Sequence, residues 1–156
     1  DNIDINSIKK INNFCKKNNR KFFLSNNFKL AFRLNLHGVY LPSFNNKINY
    51  VGKSLRKNFE IIGSAHNLNE IKIKKKQGCR LIFLSPIFKV EKSKTFLGIT
   101  KFNLLTLNQK INFIALGGIS SLNFKKIYIA NIVGFSGIKW IKKNGPRNIL
   151  RPFLKF

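Results

Sequence analysis

Two kinds of hydrophobic pattern alternate along the chain. Short, nearly continuous apolar runs suit strands buried on both faces; longer stretches with apolar residues every three or four positions suit amphipathic helices. Ile5, Ile8, Ile11 and Phe14 or Cys15 form the first helical stripe, with Lys9, Lys10, Lys16 and Lys17 facing out. Asn6 or Ser7 is expected to cap it, and Asn18 and Asn19 to end it. Residues 21–25 (KFFLS) read as a short buried strand, and residues 28–36 as a helix with Leu30, Ala31 and Leu34 inward. Residues 38–41 (GVYL) form the next strand, stopped by Pro42, and residues 47–57 a helix weakened by Gly52. Residues 60–64 (EIIGS) are a strand. Residues 67–77 are a helix closed by Gly78, with Leu68, Ile71 and Ile73 apolar and the Lys72 to Lys76 run a solvated face. Residues 81–85 (LIFLS) are a strand, residues 89–97 a Lys-rich loop, and residues 102–107 a helix.

The most informative stretch follows. The run Phe113, Ile114, Ala115, Leu116 ends in Gly117 and Gly118, so a strand closes in a tight turn with amides uncovered by side chains. Ser120 or Ser121 is expected to cap a helix over residues 122–130. A second apolar run, residues 132–137, again ends in glycine, Gly137, and residues 138–143 follow. Strand–glycine–helix–strand–glycine is the pattern of a βαβ unit with room for a phosphate at the strand ends; glycines that merely turn the chain fit it equally. Six strands alternating with helices or long loops predict a parallel sheet with right-handed crossovers. Such a sheet is either open and doubly wound or most of a (β/α)8 barrel.

Composition narrows the function. The 156 residues, 44% of them apolar, suffice for one domain. No apolar run is long enough to span a membrane. Cys15 and Cys79 lie far apart and read as reduced thiols, which leads us to expect a cytoplasmic protein. The chain begins at Asp1 and contains no Met, so a fragment or a trimmed product is expected. Thirty Lys and Arg against five Asp and Glu give a formal charge of +25. This charge admits a basic nucleic-acid-binding domain, but the Lys are spread throughout and the Phe sit in apolar runs. An attraction for phosphorylated small molecules is the more modest inference.

Four segments carry a family resemblance. GVYLPS (residues 38–43) is similar to the GVHL-[GP] strand of the thiamine-phosphate synthase and thiazole tautomerase (TenI-like) family. IIGSAHNLNEI (residues 61–71) resembles its G-x-S-x-H-[ST]-x-x-E segment. LIFLSPIF (residues 81–88) resembles its Y-x-x-x-[SG]-P-[VI]-[FY] strand and loop, and residues 114–141 its phosphate-binding end. The resemblance implies a TIM-type (β/α)8 barrel over residues 1–143, incomplete, with about six βα units and the first two strands missing. Residues 144–156 are left as a basic tail.

The implied reaction joins hydroxymethylpyrimidine pyrophosphate to a thiazole phosphate and releases pyrophosphate. The same resemblance places Ser64, His66 and Ser85 in the catalytic site; Ser85 stands where tautomerase-type relatives carry His. It places Gly117, Gly118, Gly137, Ile141 and Lys142 around the thiazole phosphate, and Lys94 where a loop lysine is expected. It also implies Mg²⁺, yet the family's Asp positions fall on Asn26 and near Asn45, which carry no charge. A barrel that binds a phosphate ester without catalysis is therefore the alternative. His37 is read as structural, and Trp140 as packing between helix and barrel. Oligomeric state is left open.

Overall fold

The computed structural model describes residues 4–48, 57–91 and 93–137. The expected helix over residues 47–57 lies largely outside them. So do Lys92, Trp140, Ile141, Lys142 and the tail.

Among the described residues six strands form one sheet: β1 (Phe23–Ser25), β2 (Gly38–Leu41), β3 (Glu60–Ala65), β4 (Leu81–Leu84), β5 (Asn112–Leu116) and β6 (Gly134–Ser136). They pair in chain order, and every pairing is parallel. The order never reverses, as it would at the switch point of a doubly wound sheet. Sequential parallel addition is the arrangement of a (β/α) barrel wall. Helix α1 (Ile5–Lys17) precedes β1. Helices α2 (Phe28–Arg33), α3 (Leu68–Lys76) and α4 (Gly98–Thr106) follow β1, β3 and β4, and a 3₁₀ helix (Phe124–Ile129) links β5 to β6. None of the described helices is long and apolar enough to cross a membrane.

The two sheet faces differ. Val39, Leu41, Ile61, Ala65, Ile82, Leu84, Phe113 and Ala115 are all buried on the face under the helices. Gly63 alternates with them, and a Cβ there would meet Lys74 of α3 and Cys79. On the opposite face Ile62 and Ser64 are buried, but Tyr40, Leu81, Phe83, Ile114 and Leu116 are only half-buried. The Tyr40 and Phe83 rings meet edge-on there, centroids 6.2 Å apart, across β3.

Several expectations need correction. Asp4, not Asn6 or Ser7, caps α1; its carboxylate accepts from the Asn6 amide at 2.9 Å and from the Ser7 hydroxyl. Only Ile8 and Asn12, one turn apart, are buried on α1, while Ile5, Ile11 and Phe14 are exposed. The contact is thus a narrow seam, not the whole apolar stripe. On α3, Ile71 and Lys74 are buried and Leu68 is exposed, because the inward line runs through Ile71, Lys74 and Gln77 at three-residue spacing. Lys74 is therefore no part of a solvated face. Helix α4 begins at Gly98, four residues before the expected start. The crossover after β5 is a single 3₁₀ segment without a Ser side-chain cap. Instead the Asn123 side chain accepts from the Ser120 amide at 2.9 Å and donates to the Gly118 carbonyl at 2.8 Å.

Candidate functional site

Because the strands are parallel, their carboxyl ends share one rim, and the loops beyond them meet there. Asn26 follows β1, Asn45 lies in the loop after β2, His66 follows β3, Ser85 follows β4, Gly117 and Gly118 follow β5, and Gly137 follows β6.

His66 is positioned twice. Its backbone amide donates to the Glu70 carboxylate at 2.7 Å. Glu70 also accepts from the Asn67 side chain at 2.8 Å, and Asn67 in turn accepts from the Glu70 amide at 3.0 Å. This reciprocal pair is a variant of the capping box, its carboxylate taking the amide one residue before the cap, and it fixes the chain's entry into α3. The imidazole Nδ1 then lies 2.8 Å from the Ser85 carbonyl oxygen and 3.2 Å from Ser85 Oγ. A carbonyl only accepts, so Nδ1 carries a proton; in the neutral ring Nε2 keeps its lone pair.

His66, Ser85 and Gly117 line one cavity of about 570 Å³. Lys101, from the first turn of α4, brings a positive charge to it, and Ser93 and Thr95 add hydroxyls. Among the described residues that line it, none is a carboxylate. The cavity therefore suits an anion with an apolar body, Phe96, Leu97 and Leu116 supplying the apolar wall. Lys101 gave no signal of its own in the sequence, since it falls just before the helix start expected at residue 102.

Gly117 and Gly118 have left-handed backbones, with φ of +93° and +70°. They also admit the loop after β4: the Ile87 amide donates to the Leu116 carbonyl at 2.9 Å and the Phe88 amide to the Gly117 carbonyl at 3.1 Å. A Cβ on Gly118 would stand 2.5 Å from the Phe88 carbonyl oxygen. Leu116 pairs with Ser136, so Gly117 and Gly137, each one residue further on, end neighbouring strands.

The other residues singled out in the sequence lie away from this cavity. Ser64 is buried in β3 opposite Phe83 and does not line the cavity. Lys94 is exposed in the loop between Ser93 and Thr95 and does not line it either. His37 lies at the opposite rim, before β2, where its Nδ1 accepts from the Phe22 amide at 3.3 Å. Asn26 and Asn45 meet directly: Asn45 Nδ2 donates to Asn26 Oδ1 at 2.6 Å.

Residues 5–141 match the family described as Thiamine monophosphate synthase. The chain belongs to this family. Over 130 residues it is 32% identical to a thiamine-phosphate synthase of Prochlorococcus marinus, covering 81% of this chain and 37% of that protein. Over 132 residues it is 31% identical to the putative thiamine-phosphate synthase 2 of Aquifex aeolicus, covering 83% of this chain and 70% of that protein. The chain thus spans little more than a third of the length of the Prochlorococcus relative. Thiamine phosphate pyrophosphorylase from Pyrococcus furiosus shares the fold, with a TM-score of 0.66 at 21% identity over 83% of this chain and 62% of that one.

Proposed function

We propose that this chain forms the phosphate-ester-binding wall of a thiamine-phosphate synthase, which joins hydroxymethylpyrimidine pyrophosphate to thiazole phosphate and releases pyrophosphate. The observation that carries this reading is the meeting, in a member of this family, of the left-handed Gly117–Gly118 turn with a cavity that bears His66 and Lys101 and has no carboxylate among its described lining residues. In the reaction the thiazole nitrogen attacks the pyrimidine methylene carbon as the carbon–oxygen bond to pyrophosphate breaks. Such chemistry calls for donors aimed at anionic oxygens more than for a strong acid or base. Lys101 supplies a cation. His66 donates from Nε2 when its ring is protonated. Gly117 brings the left-handed turn to the cavity wall, where backbone amides would serve an anion bound there. The half-covered face carrying Tyr40, Phe83 and Leu116 supports a ring closed by two further strands, since barrel interiors are filled by side chains.

A second reading, a barrel that binds the phosphate ester without catalysis, is favoured by the Asn26–Asn45 hydrogen bond, since the resemblance sets the family's aspartates at Asn26 and near Asn45. Calorimetry with thiazole phosphate tests what the two share. Binding is expected, and Lys101→Gln should weaken it about tenfold, the loss of one charge-assisted hydrogen bond. No binding by the native chain would sink both. Product formation on adding the pyrimidine pyrophosphate would select the synthase. Gly118→Asp is a poor probe of the ligand, because its Cβ would strike the backbone of Phe88.

A further inference from the structure

Lys74 is fully buried, although it sits in a run of lysines. Its stem fills the space left by Gly63: a Cβ there would stand 2.9 Å from Lys74 Cδ. Its ammonium has three protons, and three acceptors surround it. They are the Pro42 carbonyl at 2.6 Å, the Asn45 carbonyl at 2.8 Å and Gln77 Oε1 at 3.0 Å. Gln77, also buried, donates from Nε2 to the Asn45 carbonyl at 2.8 Å, to Asn45 Oδ1 at 3.3 Å and to the Lys47 carbonyl at 3.0 Å. Asn45 Oδ1 also accepts from the Lys47 amide at 2.9 Å. Asn45 Nδ2 then reaches Asn26. One connected set of hydrogen bonds runs from α3, through the loop after β2, to the residue that follows β1.

The residues at this place do not fit Mg²⁺. That ion asks for several oxygens in octahedral array, with carboxylate or phosphate among them. Here Asn26 Oδ1 is held by Asn45, and Asn45 Oδ1 by Lys47 and Gln77. The other end of the Asn26 amide is a donor. A buried ammonium already bonds the Asn45 backbone, and its charge opposes a second cation nearby. Among the described residues no three of His, Cys, Asp or Glu lie together as a metal group.

We propose that Lys74 is the positioning cation of this rim: with Gln77 it holds Asn45 against Asn26, and no divalent metal binds between those two asparagines. The inference rests on reading this rim as the ligand-facing one, but its test uses no thiazole ligand. The probe is Mn²⁺ titrated into the full chain and followed by electron paramagnetic resonance. The native protein should leave the free Mn²⁺ signal unchanged; binding that Asn26→Ala abolishes would overturn the proposal.

The charge itself is tested by placing a carboxylate at both positions, Asn26→Asp with Asn45→Asp, with Lys74 present or changed to Met. Mn²⁺ should bind about tenfold more tightly or better without the ammonium. Equal affinity with and without it would refute its role as a cation. In Lys74→Met alone, amide hydrogen exchange at Asn45 and Lys47 should quicken about tenfold while β3 and β4 stay protected. If that variant does not fold, Gln77→Ala should show the same quickening at Lys47. Unchanged exchange would remove the positioning role.

Discussion

His66 Nδ1 lies 2.8 Å from the Ser85 carbonyl oxygen, a bond that ties the end of β3 to the end of β4 at the wall of the cavity both residues line. The anchor is backbone, so the serine side chain is dispensable for it. Ser85→Ala should leave neutral His66 with its proton on Nδ1, read from the ring ¹⁵N shifts by NMR. A switch to the Nε2–H form would show that the hydroxyl, at 3.2 Å, sets the tautomer instead.

The ring can stay in place only if the chain entering α3 stays in place. Asn67 supplies the acceptor for the Glu70 amide, and Glu70 holds the His66 amide in return. Asn67→Ala should cost about 1 kcal/mol, the usual loss for such a cap, seen as a lower urea midpoint at unchanged slope. An unchanged midpoint would mean that solvent replaces the cap at no cost.

Gly118 combines a left-handed backbone with a close approach to the loop after β4. Ala there meets both the φ of +70° and a Cβ 2.5 Å from the Phe88 carbonyl oxygen. The two penalties together come to about 3 kcal/mol. Gly118→Ala should therefore destabilise the protein well beyond the Asn67 variant in the same urea series. A loss no larger than that of Asn67→Ala would mean that the loop yields easily.

What the chain disclosed in advance follows from how local each feature is. Residues 38–41 were legible to the residue as β2, since an apolar run bounded by glycine and proline has few other conformations. The turn after β5 was legible for the same reason. Its tight fit against Phe88 was not, because that contact joins residues far apart in sequence. The stripe of α1 correctly announced a helix, but periodicity does not say how much of a stripe is covered, and Phe14 is 66% exposed. Lys74 misled most. A lysine among lysines reads as solvated, and only the carbonyls of Pro42 and Asn45, brought up by the fold, make its burial tolerable. The meeting of Asn26 with Asn45 depends on β1 and β2 lying side by side, which neither asparagine encodes alone.

The two thiols should differ sharply in reactivity. Cys79 is buried behind α3, and burial pushes its thiol up to about 12, the nearby charge of Lys74 only partly opposing this. At pH 8 about one molecule in ten thousand would carry the Cys79 thiolate, the form that reacts. Cys15 is half-buried on α1, a helix with much of its surface open. A disulfide reagent at pH 8 should therefore label one thiol per native chain quickly, Cys15, and both after unfolding. Rapid labelling of Cys79 in the native protein would contradict its placement. The raised value has a sign for stability as well. Between the ordinary thiol value of 9.0 and about 12, the folded protein keeps the Cys79 proton and the unfolded chain releases it. Fewer protons on the unfolded side mean that stability falls as pH rises through this window. Lysines titrate there too, so the useful quantity is the urea midpoint of the native chain minus that of Cys79→Ala. That difference should shrink steadily from pH 9 upward, and a constant difference would show that the buried thiol ionises as freely as an exposed one.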